Sequence, residues 1–328
     1  MNQRRATAEF DIIRRYFSAL TPSRDDVDLG IGDDAALLLA PRGMGLALSI
    51  DTLVAGVHFF PDVSPASLGY KALAVNLSDL AAMGAEPAWA TLALTLPQID
   101  ESWIAAFSQG FAALAGQYGV QLVGGDTTYG PMSITVQVQG FVPAGEGLRR
   151  SGARAGDDIF VTGSLGDAAL ALNRLQRGLP EPPDAVLLKE RLERPQPRVE
   201  AGLALRDVAT SAIDISDGLL ADLGRVLEAS GVGARLELVN IPLSKAVAAE
   251  VHATGDWSIG VAGGDDYELC FTLPPGRRSQ VNELSGRLNL SMTRIGRIEE
   301  TPGLRCFGMD GGLWAPSHDG YEHFSANG

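Results

Sequence analysis

Residues 66–96 read ASLGYKALAVNLSDLAAMGAEPAWATLALTL, and two periodicities meet in them. Over 66–83 apolar residues lie on nearly every side of a helical repeat, which predicts a helix buried in the protein. Over 89–96 apolar residues alternate with others, which predicts a strand. The same alternation of helix and strand runs outward in both directions, so the fold class is α/β (α+β). Upstream, Phe10, Ile13, Phe17 and Leu20 predict a short amphipathic helix, and 46–50 predicts a short buried strand. Downstream, Trp103, Phe107, Phe111, Leu114 and Tyr118 recur at steps of three and four, the mark of a core-facing helix rather than a ligand box. Strands are expected at 121–124, 132–142, 158–162, 211–215, 234–239 and 268–273. Helices are expected at 167–176, 185–192, 199–208, 217–230 and 244–251, with a Pro-rich break at 178–183 and short strands over 292–321.

The chain has 328 residues, too many for one compact core, so about two domains are expected. The Gly-rich, Arg-rich segment 143–157, with Arg149, Arg150 and Arg154, marks the boundary. This gives an N-terminal domain over 1–147 and a C-terminal domain over 148–328. Lys+Arg is 26 against Asp+Glu 40, a net charge of −14. That excludes a role built on neutralising nucleic-acid phosphates. Cys270 and Cys306 fit no disulfide framework, and with four scattered histidines they give no zinc pattern. Asp11, Arg14 and Arg15 interrupt any secretory core near the start, and no window is apolar enough to span a membrane. A soluble cytoplasmic protein is the expectation.

Gly30-Ile31-Gly32-Asp33-Asp34-Ala35 matches the spacing of a dinucleotide fingerprint. Two carboxylates in that loop would repel a pyrophosphate, and no well-formed strand leads into it, so a Rossmann site is excluded. No Gly-Lys pair exists, so there is no P-loop. What remains is a series of aspartates beside glycines or at the ends of apolar runs. Asp33/Asp34 and Asp265/Asp266 also read as turn residues, and Ser216-Asp217 as a helix N-cap. Asp79 on an apolar helix must be paired or bound to metal, since an unpaired buried charge is very costly; Lys71 is one available partner. Asp51 and Asp214 fall at strand ends, where α/β proteins bind ligands. Hard oxygen donors in this number suit Mg²⁺, which takes one or two carboxylates together with substrate phosphates. Arg150 is a candidate phosphate clamp. The residues alone therefore point to a Mg²⁺-dependent phosphate-handling enzyme.

Nine stretches in series carry a family resemblance: GIGDDAAL at 30–37, SIDTLVAGVHF at 49–59, KALAVNLSDLAAMGAEP at 71–87, VGGDT at 123–127, RSGARAGD at 150–157, VTGSLGD at 161–167, DISDGL at 214–219, GGDDYEL at 263–269 and GYEHF at 320–324. In this order they resemble the thiamine-monophosphate kinase family of the aminoimidazole ribonucleotide synthetase-like superfamily. The resemblance implies transfer of the ATP γ-phosphoryl group to thiamine monophosphate, with several Mg²⁺ ions and ATP as co-substrate. It implies metal ligands at Asp34, Ser49, Asp51, Asp79, Asp126, Asp214 and Asp217. It implies ATP contacts at Gly125, Asp126, Arg150 and Ser216, with Asp51, Asp126 and Arg150 carrying catalysis. The thiamine side would meet His58, Asp265 and Tyr321. The fold implied is a two-domain one, in which the N-terminal sheet pairs across a homodimer and the C-terminal domain has a mixed sheet with flanking helices.

Two departures stand out. Ile50 replaces the threonine frequent between the serine and aspartate of the second motif, and Asp265 replaces the glutamate of Gly-Gly-Glu-Asp. Another ATP-dependent enzyme of the superfamily (amidine ring closure or selenophosphate synthesis) is the first rival reading. The chain lacks the former's Asp-Gly-Val-Gly-Thr-Lys motif and the latter's N-terminal reactive cysteine. A non-catalytic nucleotide-binding scaffold is the second, and the retained aspartates argue against it.

Overall fold

A computed structural model describes residues 9–179, 184–308, 310–316 and 320–321. The chain divides into two compact units: Met1–Leu80 with Ala85–Gly145, and Ala81–Gly84 with Glu146–Gly328.

The first unit opens with α1 (Glu9–Ile12), which runs on as a π-helical turn over Ile13–Phe17. The wider turn changes which residues face inward: Ile12 and Phe17, five apart, are buried, whereas Phe10 is 73% exposed. The even helical stripe expected from Phe10 is therefore corrected. A two-stranded ribbon follows, β1 (Val27–Leu29) with β2 (Leu37–Leu38). Next come β3 (Met44–Val54), α2 (Pro65–Ala82), β4 (Glu86–Leu96), α3 (Glu101–Tyr118), β5 (Gln121–Tyr129) and β6 (Ser133–Pro143). The sheet order is β3-β6-β4-β5, antiparallel except for the β4–β5 pair. α3 is capped as its sequence dictates, with the Asp100 carboxylate accepting from the N–H groups of Ser102 and Trp103 and a left-handed Gly119 closing it. Phe107, Phe111 and Leu114 on that helix are fully buried.

β3 differs from expectation in length and in burial. It runs eleven residues, so Asp51 lies within the strand rather than after it. Leu46, Leu48 and Ile50 are 53–56% exposed. β3 is the edge strand of its sheet, and among the described residues these three side chains stay open on its outer face. Further along that face, Trp89 and Phe141 are buried, packed against Val27, Leu38 and Met44.

The second unit contains β7 (Asp158–Thr162), α4 (Asp167–Arg177), α5 (Ala185–Glu193), α6 (Val199–Leu205), β8 (Ser211–Asp214), α7 (Leu219–Ser230), β9 (Gly233–Glu237), α8 (Lys245–Thr254), α9 (Ser258–Val261), β10 (Leu269–Leu273), α10 (Arg278–Leu288), β11 (Met292–Glu299), β12 (Gly303–Phe307) and β13 (Leu313–Trp314). Its mixed sheet has the order β13-β12-β9-β11-β7-β10-β8. The core gathers Ile159, Val161, Ile213, Leu223, Leu236 and Ile295 among others. Asp158, at 0% exposure, is held by Arg278 at 2.6 and 2.8 Å and by Arg294 at 2.5 Å. Burial alone would raise that carboxyl, but the two guanidinium groups outweigh it and hold it below its usual range. The helices α9 and α10 were not anticipated. Most of the 178–183 break and residues 322–324 of the last motif lie outside the described residues. Among the described residues, no helix is long and apolar enough to cross a membrane.

Candidate functional site

In the first unit, Ser49 and Asp51 sit two apart on β3 and so share a face. The Ser49 hydroxyl donates to Asp79 Oδ2, which α2 brings against that face. An aspartate on an apolar helix is thereby given a partner from the sheet. Thr52 belongs to the other face, where its hydroxyl bonds that of Thr135 at 2.8 Å. The register carries this second face from Thr135 to Ala93 and on to Asp126. Asp126 thus faces away from Asp51 and is three strand steps distant, about 14 Å at the usual spacing. Gly125, next to it, has φ +154°, and a Cβ there would stand 1.9 Å from the Leu92 carbonyl oxygen. Only glycine lets β5 approach β4 at this point, so the residue before Asp126 is fixed by backbone packing.

Asp34 lies in the exposed loop between β1 and β2, where its N–H donates to Asp33 Oδ1 at 2.8 Å. His58 follows β3 and accepts at Nδ1 from the Val54 N–H at 3.0 Å. Its neutral ring therefore carries the proton on Nε2.

The second unit brings Asp214, Ser216, Asp217, Asp265 and Tyr321 together. Asp214 ends β8, 5% exposed and paired with Leu269. The chain then turns, and α7 starts only at Leu219, so Ser216 and Asp217 are not its N-cap. Their N–H groups instead donate to Asp222 Oδ2, each at 3.0 Å. Arg225, one turn on, pairs with Asp222 and reaches Asp217 Oδ2 at 2.6 Å. Gly218 has φ +116° and its Cα faces the Ala262 backbone, where a Cβ would come within 2.8 Å. Two further bonds gather the remaining residues: the Asp265 N–H donates to the Ser216 carbonyl at 2.8 Å, and the Tyr321 N–H to the Asp217 carbonyl at 3.0 Å. Arg150 is exposed, and its carbonyl accepts from Ser230 Oγ at 3.3 Å, beside the Arg149–Ala212 backbone bond that lines β8.

The electrostatics follow from burial. Desolvation pushes Asp222 up to about 6, against the opposing pull of the two N–H groups and Arg225. It also drives Asp266 well above the carboxylate range, even though that carboxylate accepts from the Gly166 N–H. Asp222, Arg225 and Tyr267 were missed in the sequence. The helix expected from 217 begins only at Leu219, and the turn before it is what turns the Ser216 and Asp217 N–H groups toward Asp222.

The donor set suits Mg²⁺ chemically, being oxygen throughout. Among the described residues, no three carboxylate, imidazole or thiol groups close into a ready-made cage.

The family profile described as AIR synthase related protein, N-terminal domain, matches residues 32–142, and that of the C-terminal domain matches residues 154–308. The thiamine-monophosphate kinase of Escherichia coli (strain K12) is 51% identical over 322 residues, covering 98% of this chain and 99% of that protein. The crystal structure of thiamine-monophosphate kinase from Stenotrophomonas maltophilia K279a superposes with a TM-score of 0.86 at 47% identity, covering 94% of this chain and 99% of that one. A structure of AaThiL complexed with AMPPCP and TMP superposes with a TM-score of 0.77 at 33% identity, covering 90% of this chain and 92% of that one. With its two-part fold and its motifs in family order, the chain belongs to the thiamine-monophosphate kinase family of AIR synthase related proteins.

Proposed function

We propose that the protein transfers the γ-phosphoryl group of ATP to thiamine monophosphate, giving thiamine diphosphate and ADP. The observation that carries this is the near full-length identity to thiamine-monophosphate kinases. A phosphate oxygen of the acceptor attacks the γ-phosphorus, and the bond to the β,γ-bridging oxygen breaks as ADP leaves. The attacking oxygen is already anionic, so the protein needs alignment and charge neutralisation rather than a strong base. Ser49, Asp51 and Asp79, with Asp34, Asp126, Asp214 and Asp217, are the proposed holders of Mg²⁺. When bound, the ions would neutralise the phosphates and screen the developing charge. Gly125, Arg150 and Ser216 join Asp126 in holding ATP, with Arg150 supplying positive charge to the phosphates. His58, Asp265 and Tyr321 hold the thiamine side, where the carboxylate and the aromatic ring suit a cationic thiazolium.

The N-terminal domain (1–147) supplies ATP and metal ligands and the dimerisation surface, and the C-terminal domain (148–328) completes the site. A second copy of the chain on the exposed face of β3 would cover Leu46, Leu48 and Ile50, which supports a homodimer. The enzyme acts in the cytoplasm. In the test, ADP release in Mg²⁺-ATP requires thiamine monophosphate, and Asp51→Asn or Asp126→Asn lowers turnover by orders of magnitude with little change in Tm. Equal turnover with free thiamine would exclude the assignment.

A further inference from the structure

Among the described residues, three non-glycine positions have positive φ, and two of them flank a single residue: Asp265 at +68° and Tyr267 at +51°. Aspartate tolerates this region through its short polar side chain, but a bulky tyrosine does so only where its surroundings impose it. The surroundings are visible. The Tyr267 N–H donates to the Ile215 carbonyl and the Asp265 N–H to the Ser216 carbonyl, both at 2.8 Å. Between them, Asp266 anchors the loop from below, its carboxylate accepting from the Gly166 N–H at 2.9 and 3.1 Å. The strained backbone turns the Tyr267 ring inward to 9% exposure and points its phenol back at its neighbour, where it donates to Asp265 Oδ1 at 3.0 Å. Strain retained beside a ligand loop marks a geometry kept for use rather than for stability.

We infer that Tyr267 is a positioning residue for acceptor recognition: its hydroxyl fixes the Asp265 carboxylate, on the loop tied to Ser216, in the orientation that receives the thiamine half of the acceptor. The inference rests on the proposed function and deepens it. Asp265 has two χ angles, and the bond from the phenol narrows the rotamers its carboxylate samples before binding. The effect falls on acceptor affinity and leaves ATP binding and the chemical step alone.

The test uses the full-length enzyme with Mg²⁺-ATP and compares wild type, Tyr267→Phe, Asp265→Ala and the double variant. Tyr267→Phe keeps the ring and removes the hydroxyl that donates to Asp265. Its KM for thiamine monophosphate is expected to rise about tenfold, as for loss of one hydrogen bond to a charged group, with kcat and the KM for ATP within about twofold of wild type. In the double variant the phenylalanine should add nothing to the KM increase of Asp265→Ala, because the phenol acts through the oxygen that alanine removes. An unchanged KM in Tyr267→Phe, or two fully additive increases, would overturn the inference while wild-type turnover upheld the function. A wild-type protein that neither binds nor phosphorylates thiamine monophosphate would overturn both.

Discussion

Replacing Asp222 by asparagine removes a charge that the fold holds at a disadvantage. The carboxyl is 1% exposed, and burial moves its pKa from 3.8 to about 6. Two pKa units correspond to about 3 kcal/mol. The folded value lies above the unfolded one, so the protonated group favours folding. That advantage is complete below pH 3.8 and is lost as pH rises through 6. Asparagine keeps an oxygen for the Ser216 and Asp217 N–H groups and does not titrate. Relative to Asp222→Asn, the wild type therefore loses about 3 kcal/mol across this window, roughly half of it by pH 5. Urea unfolding at pH 5 and pH 8, in chelator and without nucleotide, measures the remainder. The stability difference should move by about 1.5 kcal/mol in favour of the variant between the two pH values. Turnover should move the other way, because Arg225 then binds Asp217 without a competing carboxylate and withdraws it from its proposed ligand role. A difference that stays flat with pH, or moves toward the wild type, refutes the reasoning.

Three more outcomes are expected. Gly125→Ala places a methyl group against the Leu92 carbonyl and should lower Tm, with a cost of about 2 kcal/mol or more, and abolish turnover; thermal unfolding and ADP release both report it. Arg278→Ala removes two of the three bonds to Asp158 but leaves Arg294. It should cost about 1–3 kcal/mol in urea unfolding without changing KM for either substrate, and the deficit should shrink as pH falls through the carboxylate range, where wild-type Asp158 also loses its charge-dependent stability. Leu48→Glu with Ile50→Glu should convert a dimer to a monomer in light scattering, and a wild-type protein already monomeric at assay concentration would discount that surface.

The sequence revealed most where local pattern and global fold agree. The apolar run at 66–83 became α2, and the stripe ending at Tyr118 became α3 with its Asp100 cap. It failed where the deciding partner is distant or the period is unusual. A π turn moved burial from Phe10 to Ile12, and the outer face of β3 read as buried because apolar residues alone do not tell which strand becomes an edge. Motif aspartates were visible as a set, but their faces were not: only the register across β3, β6, β4 and β5 separates Asp51 from Asp126. Asp222 and Tyr267 were hidden because their roles consist of bonds to the backbone or side chain of nearby residues within loops whose turns were unforeseen.

The segment 46–54 reads LALSIDTLV, nine residues of strand-forming character with a single charge. Laid along a sheet edge, such a stretch templates pairing with any other extended chain, including copies of itself during synthesis. Asp51, one residue past its midpoint, interrupts it. The same carboxylate proposed for chemistry is also the one charge of this stretch, so Asp51→Asn is expected to raise its tendency to aggregate as well as lower turnover.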